Sequence, residues 1–181
     1  MKQYWKYIIL TVGGLVIYNI LKAGSMANKF VRFTNTEALR LLALQQSLRK
    51  AGFQDPQINY ALAQLLFETG KFTTGSQVAQ LNNNYSGINW INKPYQHATK
   101  GSPKPSSEGG GYYAHFENMD DWAKDFMRIL SLQRSANLVG PPITADTLQK
   151  YVDRLSLNGY FASDKTAYFK GLKKYLDMFA S

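Results

Sequence analysis

Residues 61–70 read Ala61-Leu62-Ala63-Gln64-Leu65-Leu66-Phe67-Glu68-Thr69-Gly70. Together with Ile58, the apolar residues Ala61, Leu62, Leu65 and Leu66 recur at helical spacing, and the period stops near Gly70. Upstream, Asp55–Pro56 reads as an N-cap followed by a first-turn proline. Glu68 then lies at the edge of the apolar stripe, one turn beyond Leu65 and two beyond Ala61. A carboxyl at such an edge is partly desolvated, which disfavours its ionised form and raises its pKa. A general acid that protonates a leaving oxygen near neutral pH needs that environment. A solvated helix-end glutamate facing away from any cleft has the same spacing, so position alone leaves both readings open.

Outward from this helix the chain is mostly helical. Thr34 and Glu37 form a capping-box pattern ahead of Ala38, Leu41, Leu42, Ala43 and Leu48, and Gly52 stops that helix. A shorter helix is expected over residues 76–81. Asn82-Asn83-Asn84 reads as a turn cluster, residues 87–90 as a short strand, 99–111 as a mobile loop and 112–116 as a strand. Asn118 caps a helix with Trp122, Phe126, Ile129 and Leu130 on one face. Thr144 is expected to start another, carrying Leu148, Val152 and Leu155 and ending at Asn158–Gly159. The last begins near Asp164, with Tyr168, Phe169, Leu172 and Leu176 inward. The fold class is therefore α+β, predominantly helical, with one small glycine-rich β excursion holding a second glutamate, Glu108, beside three glycines. A helix-end acid facing a short sheet is a layout that can grip a sugar chain. Tyr85, Trp90, Tyr95, Tyr112 and Tyr113 concentrate there and suit stacking on sugar faces, although core or strand packing explains such residues equally.

Composition narrows the chemistry. The 181 residues are 45% hydrophobic and 14% aromatic, which excludes disorder as the main state. The absence of cysteine excludes disulfides, thiolate zinc sites and cysteine nucleophiles; with only two histidines, no metal or other cofactor is expected. No Ser–His–Asp pattern surrounds His97 or His115, which read as surface or strand residues. Net charge is +9, and residues 1–30 carry Lys2, Lys6, Lys22 and Lys29 with no acid. The remaining 17 basic and 12 acidic residues leave +5, which suits a polyanionic partner. Without an Arg-rich helix or an RNA-binding signature, nucleic acid is not the expected one. Lys170, Lys173 and Lys174 fit the polar face of the last helix more simply than an anion site.

Residues 7–21 (YIILTVGGLVIYNIL) hold no charge and are flanked by lysines. Fifteen residues rise only ~22 Å as a helix, short of a ~30 Å hydrocarbon layer, but Tyr4, Trp5 and snorkelling lysines close most of the gap. The expectation is a single N-terminal transmembrane helix within residues 1–24, a basic tether over 25–33 and a catalytic domain over 34–181. Lysines flank both sides about equally, so charge leaves the orientation open. A single-pass protein with its domain on the cell-wall side, in a bacterial inner membrane or a membrane-containing phage virion, is what the resemblance described next implies. A cleaved signal peptide and a buried core helix are the rival readings of the segment.

Four segments carry a family resemblance. Residues 61–70 resemble the "A-x-x-x-x-E-[ST]-G" helix end of family 73 glycoside hydrolases, the bacterial and phage N-acetylglucosaminidases. Asn83-Asn84-Tyr85-Ser86-Gly87-Ile88 resembles that family's "N-N-L-F-G-I" segment. Glu108, followed by residues 113–119, is similar to its "T-x-E … F-R-x-Y-x-S" hairpin. Residues 159–164 (GYFASD) with Tyr168 are similar to its closing "G-Y-A-T-D-x-x-Y" element. The segments occur in the family's order between Thr34 and Phe179. The chain departs from the pattern at Lys71 and Phe72, where a tryptophan and a second glycine are usual, and at Ser86 and Asn89.

The resemblance implies a lysozyme-like domain with a small β-lobe that hydrolyses peptidoglycan glycan strands as an endo-β-N-acetylglucosaminidase. In it Glu68 matches the general acid, Glu108 the second acid and Tyr160 a tyrosine near the substrate's acetamido group. Asn84, Tyr85, Trp90 and Tyr113 are the expected substrate-binding residues. Water activated by Glu108 would give inversion, with the carboxyls ~6.5–9.5 Å apart; attack by the acetamido group would give retention. A muramidase, a lytic transglycosylase and a catalytically weak wall-binding or assembly protein are the alternatives. Any further envelope or phage-particle partner is not indicated by the sequence.

Overall fold

A computed structural model describes residues 30, 32–72, 77–132 and 140–179. Helix α1 (Asn35–Lys50) opens with the expected capping box: the Thr34 hydroxyl accepts from Glu37 N at 3.3 Å, and Thr34 N donates to Glu37 Oε2 at 2.8 Å. Its Leu41, Leu44 and Leu48 are buried, and its end is tied down by Arg49–Asp55 and Lys50–Asp120 pairs, each at 2.7 Å. Asp55 thus faces Arg49 instead of capping the next helix. Helix α2 (Gln57–Thr69) has Pro56 at its N-cap with no side-chain hydrogen bond.

Helix α2 is buried at Ile58 and at every position from Tyr60 to Leu66, the pattern of a helix enclosed by its neighbours rather than lying on a surface. It ends at Gly70, whose φ of 57° lets its N–H reach back to Leu66 O. Lys71 and Phe72 continue in the left-handed region at φ 62° and 60°, which costs a side-chain-bearing residue about 1–2 kcal/mol. The turn is held by Thr69 Oγ1, which donates to Leu65 O at 2.6 Å and accepts from Phe72 N at 3.1 Å, and by the burial of Phe72 against Tyr85. The chain therefore leaves the Glu68 helix in a fixed direction.

A short helix α3 (Gln77–Asn82) leads into the hairpin of β1 (Thr99–Pro103) and β2 (Tyr112–His115), in which Thr99 faces His115 and Pro103 faces Tyr112. The expected strand over 87–90 is reduced to an isolated bridge between Asn89 and Tyr113, and a strand occupies the start of the expected 99–111 loop. The sequence TKGSP has little strand propensity of its own. It is held by the asparagine cluster: Asn82 Nδ2 donates to Ser102 Oγ at 2.7 Å, and its Oδ1 accepts from Ser102 N at 3.1 Å. Gly101 permits this, because a β-carbon there would lie 2.5 Å from Asn82 Oδ1 and 2.7 Å from Tyr113 O.

Three helices complete the domain: α4 (Met119–Leu130), α5 (Leu148–Leu157) and α6 (Lys165–Phe179). Asn118 caps α4 as expected. Helix α5 starts at an N-cap of Thr147, whereas Thr144 ends a 3-10 turn begun by Pro142. Trp122 is fully buried, stacked on Phe126 at 5.1 Å and edge-on to Tyr85 at 5.2 Å. α1 packs on α4, and α2 crosses α6 at Gly171, where a β-carbon would lie 2.7 Å from two ring carbons of Phe67. Phe179, at the end of α6, meets Phe30 at 5.5 Å and Phe33 at 5.8 Å, so the tail of the expected tether is part of the core.

Residues 7–21 lie outside the described residues, and among those described no helix is long and apolar enough to cross a membrane. The described fold is a predominantly helical α+β domain with a two-stranded sheet. The transmembrane helix in the expected fold class, and the single-pass location built on it, are withdrawn.

Candidate active site

Glu68 occupies the last turn of α2, and three tyrosines from the C-terminal third converge on it. Its Oε1 accepts from Tyr168 Oη of α6 at 2.7 Å and from Gln64 Nε2, one turn back on α2, at 3.0 Å. Gln64 Oε1 in turn accepts from Tyr151 Oη of α5 at 2.6 Å, and both Gln64 and Tyr151 are buried. Tyr160, on the loop entering α6, interacts with the Glu68 charge and neighbours Gln64 and Ser86, while Ser86 Oγ accepts from Trp122 Nε1 at 3.0 Å. Phe161 stacks on Tyr168 at 3.9 Å and Phe67 meets the same ring edge-on at 5.4 Å, fixing the tyrosine from both sides.

Glu68 keeps a solvent-exposed surface, yet protein atoms crowd it densely. That crowding disfavours its charge and raises its pKa from the usual 4.5 to about 7, against the opposing pull of hydrogen bonds from Tyr168 and Gln64. The tyrosines are shifted in the same direction, which keeps them donors. Burial first, then the Glu68 charge, pushes Tyr151, Tyr160 and Tyr168 above their ordinary range, so all three keep their protons at working pH. The assembly is a carboxyl poised near neutrality among permanently protonated hydroxyls, a combination suited to proton donation followed by proton uptake.

Glu108 sits apart, on the β-lobe. It ends the 3-10 turn Ser106–Glu108 and accepts from Tyr113 Oη, whose pKa burial and the Glu108 carboxylate together push up to about 12. Gly109, Gly110 and Gly111 follow with φ of 87°, 64° and 84°, a run that side-chain-bearing residues adopt only under strain. Lys104 N–H donates to Gly111 O at 3.0 Å and Gly110 N–H to Pro105 O at 3.1 Å, closing the loop on itself.

The other expected binding residues divide by role. Asn84 is 1% exposed and its amide is fully engaged: Nδ2 donates to Ile88 O at 2.8 Å and Ala114 O at 3.0 Å, and Oδ1 accepts from Ile88 N at 2.8 Å. Tyr85 is buried between Phe72 and Trp122, and Tyr113 is buried while holding Glu108. Trp90 and Tyr112 form an open corner with ring centroids 6.4 Å apart, and Lys100 Nζ lies 3.7 Å from the Tyr112 centroid. Tyr95, also exposed, lies under Arg128 at 5.0 Å. His97 and His115 line a cleft of about 500 Å³ with Gln96, Thr99, Glu117 and Asp121, none of which touches the Glu68 cluster. Among the described residues no group of three or more His, Asp or Glu is arranged to hold a metal ion.

Gln64 and Tyr151 are absent from the sequence reading of the site. Gln64 has a local signal, its i, i+4 spacing from Glu68 on a helix. Tyr151 has none, since its 87-residue separation from Gln64 is bridged only by tertiary packing.

The helical domain, its two-stranded lobe and a carboxyl at the end of a buried helix define a predominantly helical α+β protein. No family model matches the chain, and no curated protein matches it significantly. Among solved structures, the chain is similar to the catalytic domain of the autolysin Auto from Listeria monocytogenes, with a TM-score of 0.52 and 14% identity over 86% of this chain and 85% of that one. At this identity the likeness is one of fold.

Proposed function

We propose that this protein is a peptidoglycan hydrolase that cleaves the glycan strand as an endo-β-N-acetylglucosaminidase, with Glu68 as general acid. The observation that carries this reading is the Glu68 carboxyl, raised to about 7 and bound to Tyr168 and Gln64 at the end of the central helix. The fold shared with an autolysin catalytic domain supports the substrate class.

In the proposed reaction Glu68 gives its proton to the glycosidic oxygen as the bond from that oxygen to the anomeric carbon breaks. The substrate's acetamido oxygen then bonds to the anomeric carbon, with Tyr160 orienting the acetamido group. Water, deprotonated by the Glu68 carboxylate, attacks that carbon and restores both the acetamido group and the acid, with retained configuration. This route is favoured over inversion because Glu108 is engaged by Tyr113 on the β-lobe, whereas Glu68, held by Tyr168 and Gln64, can act first as acid and then as base without a second carboxylate. Trp90 and Tyr112 offer an aromatic corner for a sugar face.

The test is the chemistry of the ends released from purified sacculi by the full chain. Reducing N-acetylglucosamine ends, first formed as the β-anomer, are expected. Reducing muramic acid ends would make the protein a muramidase, anhydro ends a transglycosylase, and binding without release a wall-binding protein.

A further inference from the structure

Gln64 and Tyr151 stand behind the acid without reaching the solvent side of the site, and no part of the proposed reaction yet uses them. We infer that Gln64 is a positioning residue that, locked by Tyr151, fixes the Glu68 carboxyl with Oε1 as its carbonyl oxygen and Oε2 as the oxygen that carries and delivers the proton. The inference rests on the reading of Glu68 as general acid and deepens it.

A protonated carboxyl has one carbonyl oxygen, with two lone-pair directions, and one hydroxyl oxygen. Both donors found on Glu68, Tyr168 Oη at 2.7 Å and Gln64 Nε2 at 3.0 Å, converge on Oε1. Two donors saturate Oε1 as an acceptor, so a proton placed there would compete with both, and Oε2 is the position that satisfies all three groups.

Such an arrangement holds only if the amide keeps its nitrogen toward Glu68. Rotated by half a turn, Gln64 would present its own oxygen to Oε1, and two acceptors would face each other. Tyr151 Oη, donating to Gln64 Oε1 at 2.6 Å from a fully buried position, opposes that rotation. The amide nitrogen thus faces Glu68 and the amide oxygen faces Tyr151. Gln64 is itself 0% exposed, so its orientation is set by protein and not by exchanging water. Burial, Tyr168 from α6 and Gln64 from α2 govern the Glu68 titration, and the Glu68 charge in turn acts on Tyr151 from α5, Tyr160 from the following loop and Tyr168.

The test is the carboxyl titration of Glu68 in the full chain, read by carbon NMR. The chain has only four glutamates, and Glu68→Gln identifies the resonance. Gln64→Met removes the donor at similar volume, and Tyr151→Phe removes only the lock. Because a hydrogen bond to the charged form lowers a carboxyl pKa, both variants are expected to titrate at higher pH than the parent, Gln64→Met the more. In parallel, kcat on sacculi is expected to fall roughly ten- to hundredfold with KM nearly unchanged, and its alkaline limb to move up with the NMR midpoint. Should Gln64→Met fail to fold, Tyr151→Phe makes the same test with the ring retained. An unchanged midpoint in a folded variant would overturn the inference even if activity fell. A parent that leaves sacculi intact would sink the hydrolase reading without touching the titration difference, so the two failures are distinct.

Discussion

Glu68 is the residue on which the account turns, and its titration has a consequence for stability as well as chemistry. Its folded pKa of about 7 exceeds the ordinary 4.5, so between those values the folded chain holds a proton that the unfolded chain has lost. Stability linked to this group is therefore complete below about pH 4.5 and declines as pH rises toward 7. Glu68→Gln removes that decline. The variant's melting temperature relative to the parent is expected to rise progressively from pH 4.5 to 7.5, as measured by thermal unfolding. A constant difference across that range would mean the carboxyl is not held near neutrality. This residue was legible in the sequence because apolar periodicity places it at a stripe edge. The tyrosines that make the edge into a site were legible only in part. Tyr160 and Tyr168 lie in a stretch that resembles a family motif, whereas Tyr151 reads as one more inward residue of an amphipathic helix.

At the scale of elements, the β-lobe depends on asparagines more than on its strands. The Asn84 amide makes three buried hydrogen bonds, two of which close the 84–88 turn on Ile88 and one of which joins it to Ala114 of β2. Asn84→Ala would leave the buried Ile88 N–H without its partner and take one donor each from the Ile88 carbonyl, which keeps the Ala114 N–H, and the Ala114 carbonyl, at a cost of about 2–3 kcal/mol. Chemical denaturation should show that loss, and hydrogen exchange should place the earliest opening at β1 and β2. A loss below about 0.5 kcal/mol would mean that the hairpin is held by something else. The asparagine run is legible in the sequence as a turn, but the strand at the start of residues 99–111 is not, because side-chain clamping from Asn82 has no periodic signature. The start of α5 is ambiguous in the same way. Two threonines three residues apart are both plausible caps, and the 3-10 turn imposed by Pro142 gives the role to Thr147.

For the molecule as a whole, burial of Phe30 and Phe33 against Phe179 brings both ends of the described chain to one aromatic cluster, with α2 and α6 crossing beside the acid. The close approach at Gly171 is what lets α6 bring Tyr168 onto Glu68. Helix number and order follow from apolar periodicity and caps in the sequence. The crossing does not, since it depends on a glycine that a helical pattern only tolerates. The most direct test of the central claim is muropeptide release from purified sacculi by the full chain and by Glu68→Gln at the same concentration. The account expects release by the parent and a fall of at least ~100-fold in the variant, with sacculus binding retained. Equal release by the two, or binding with no release by either, would contradict it.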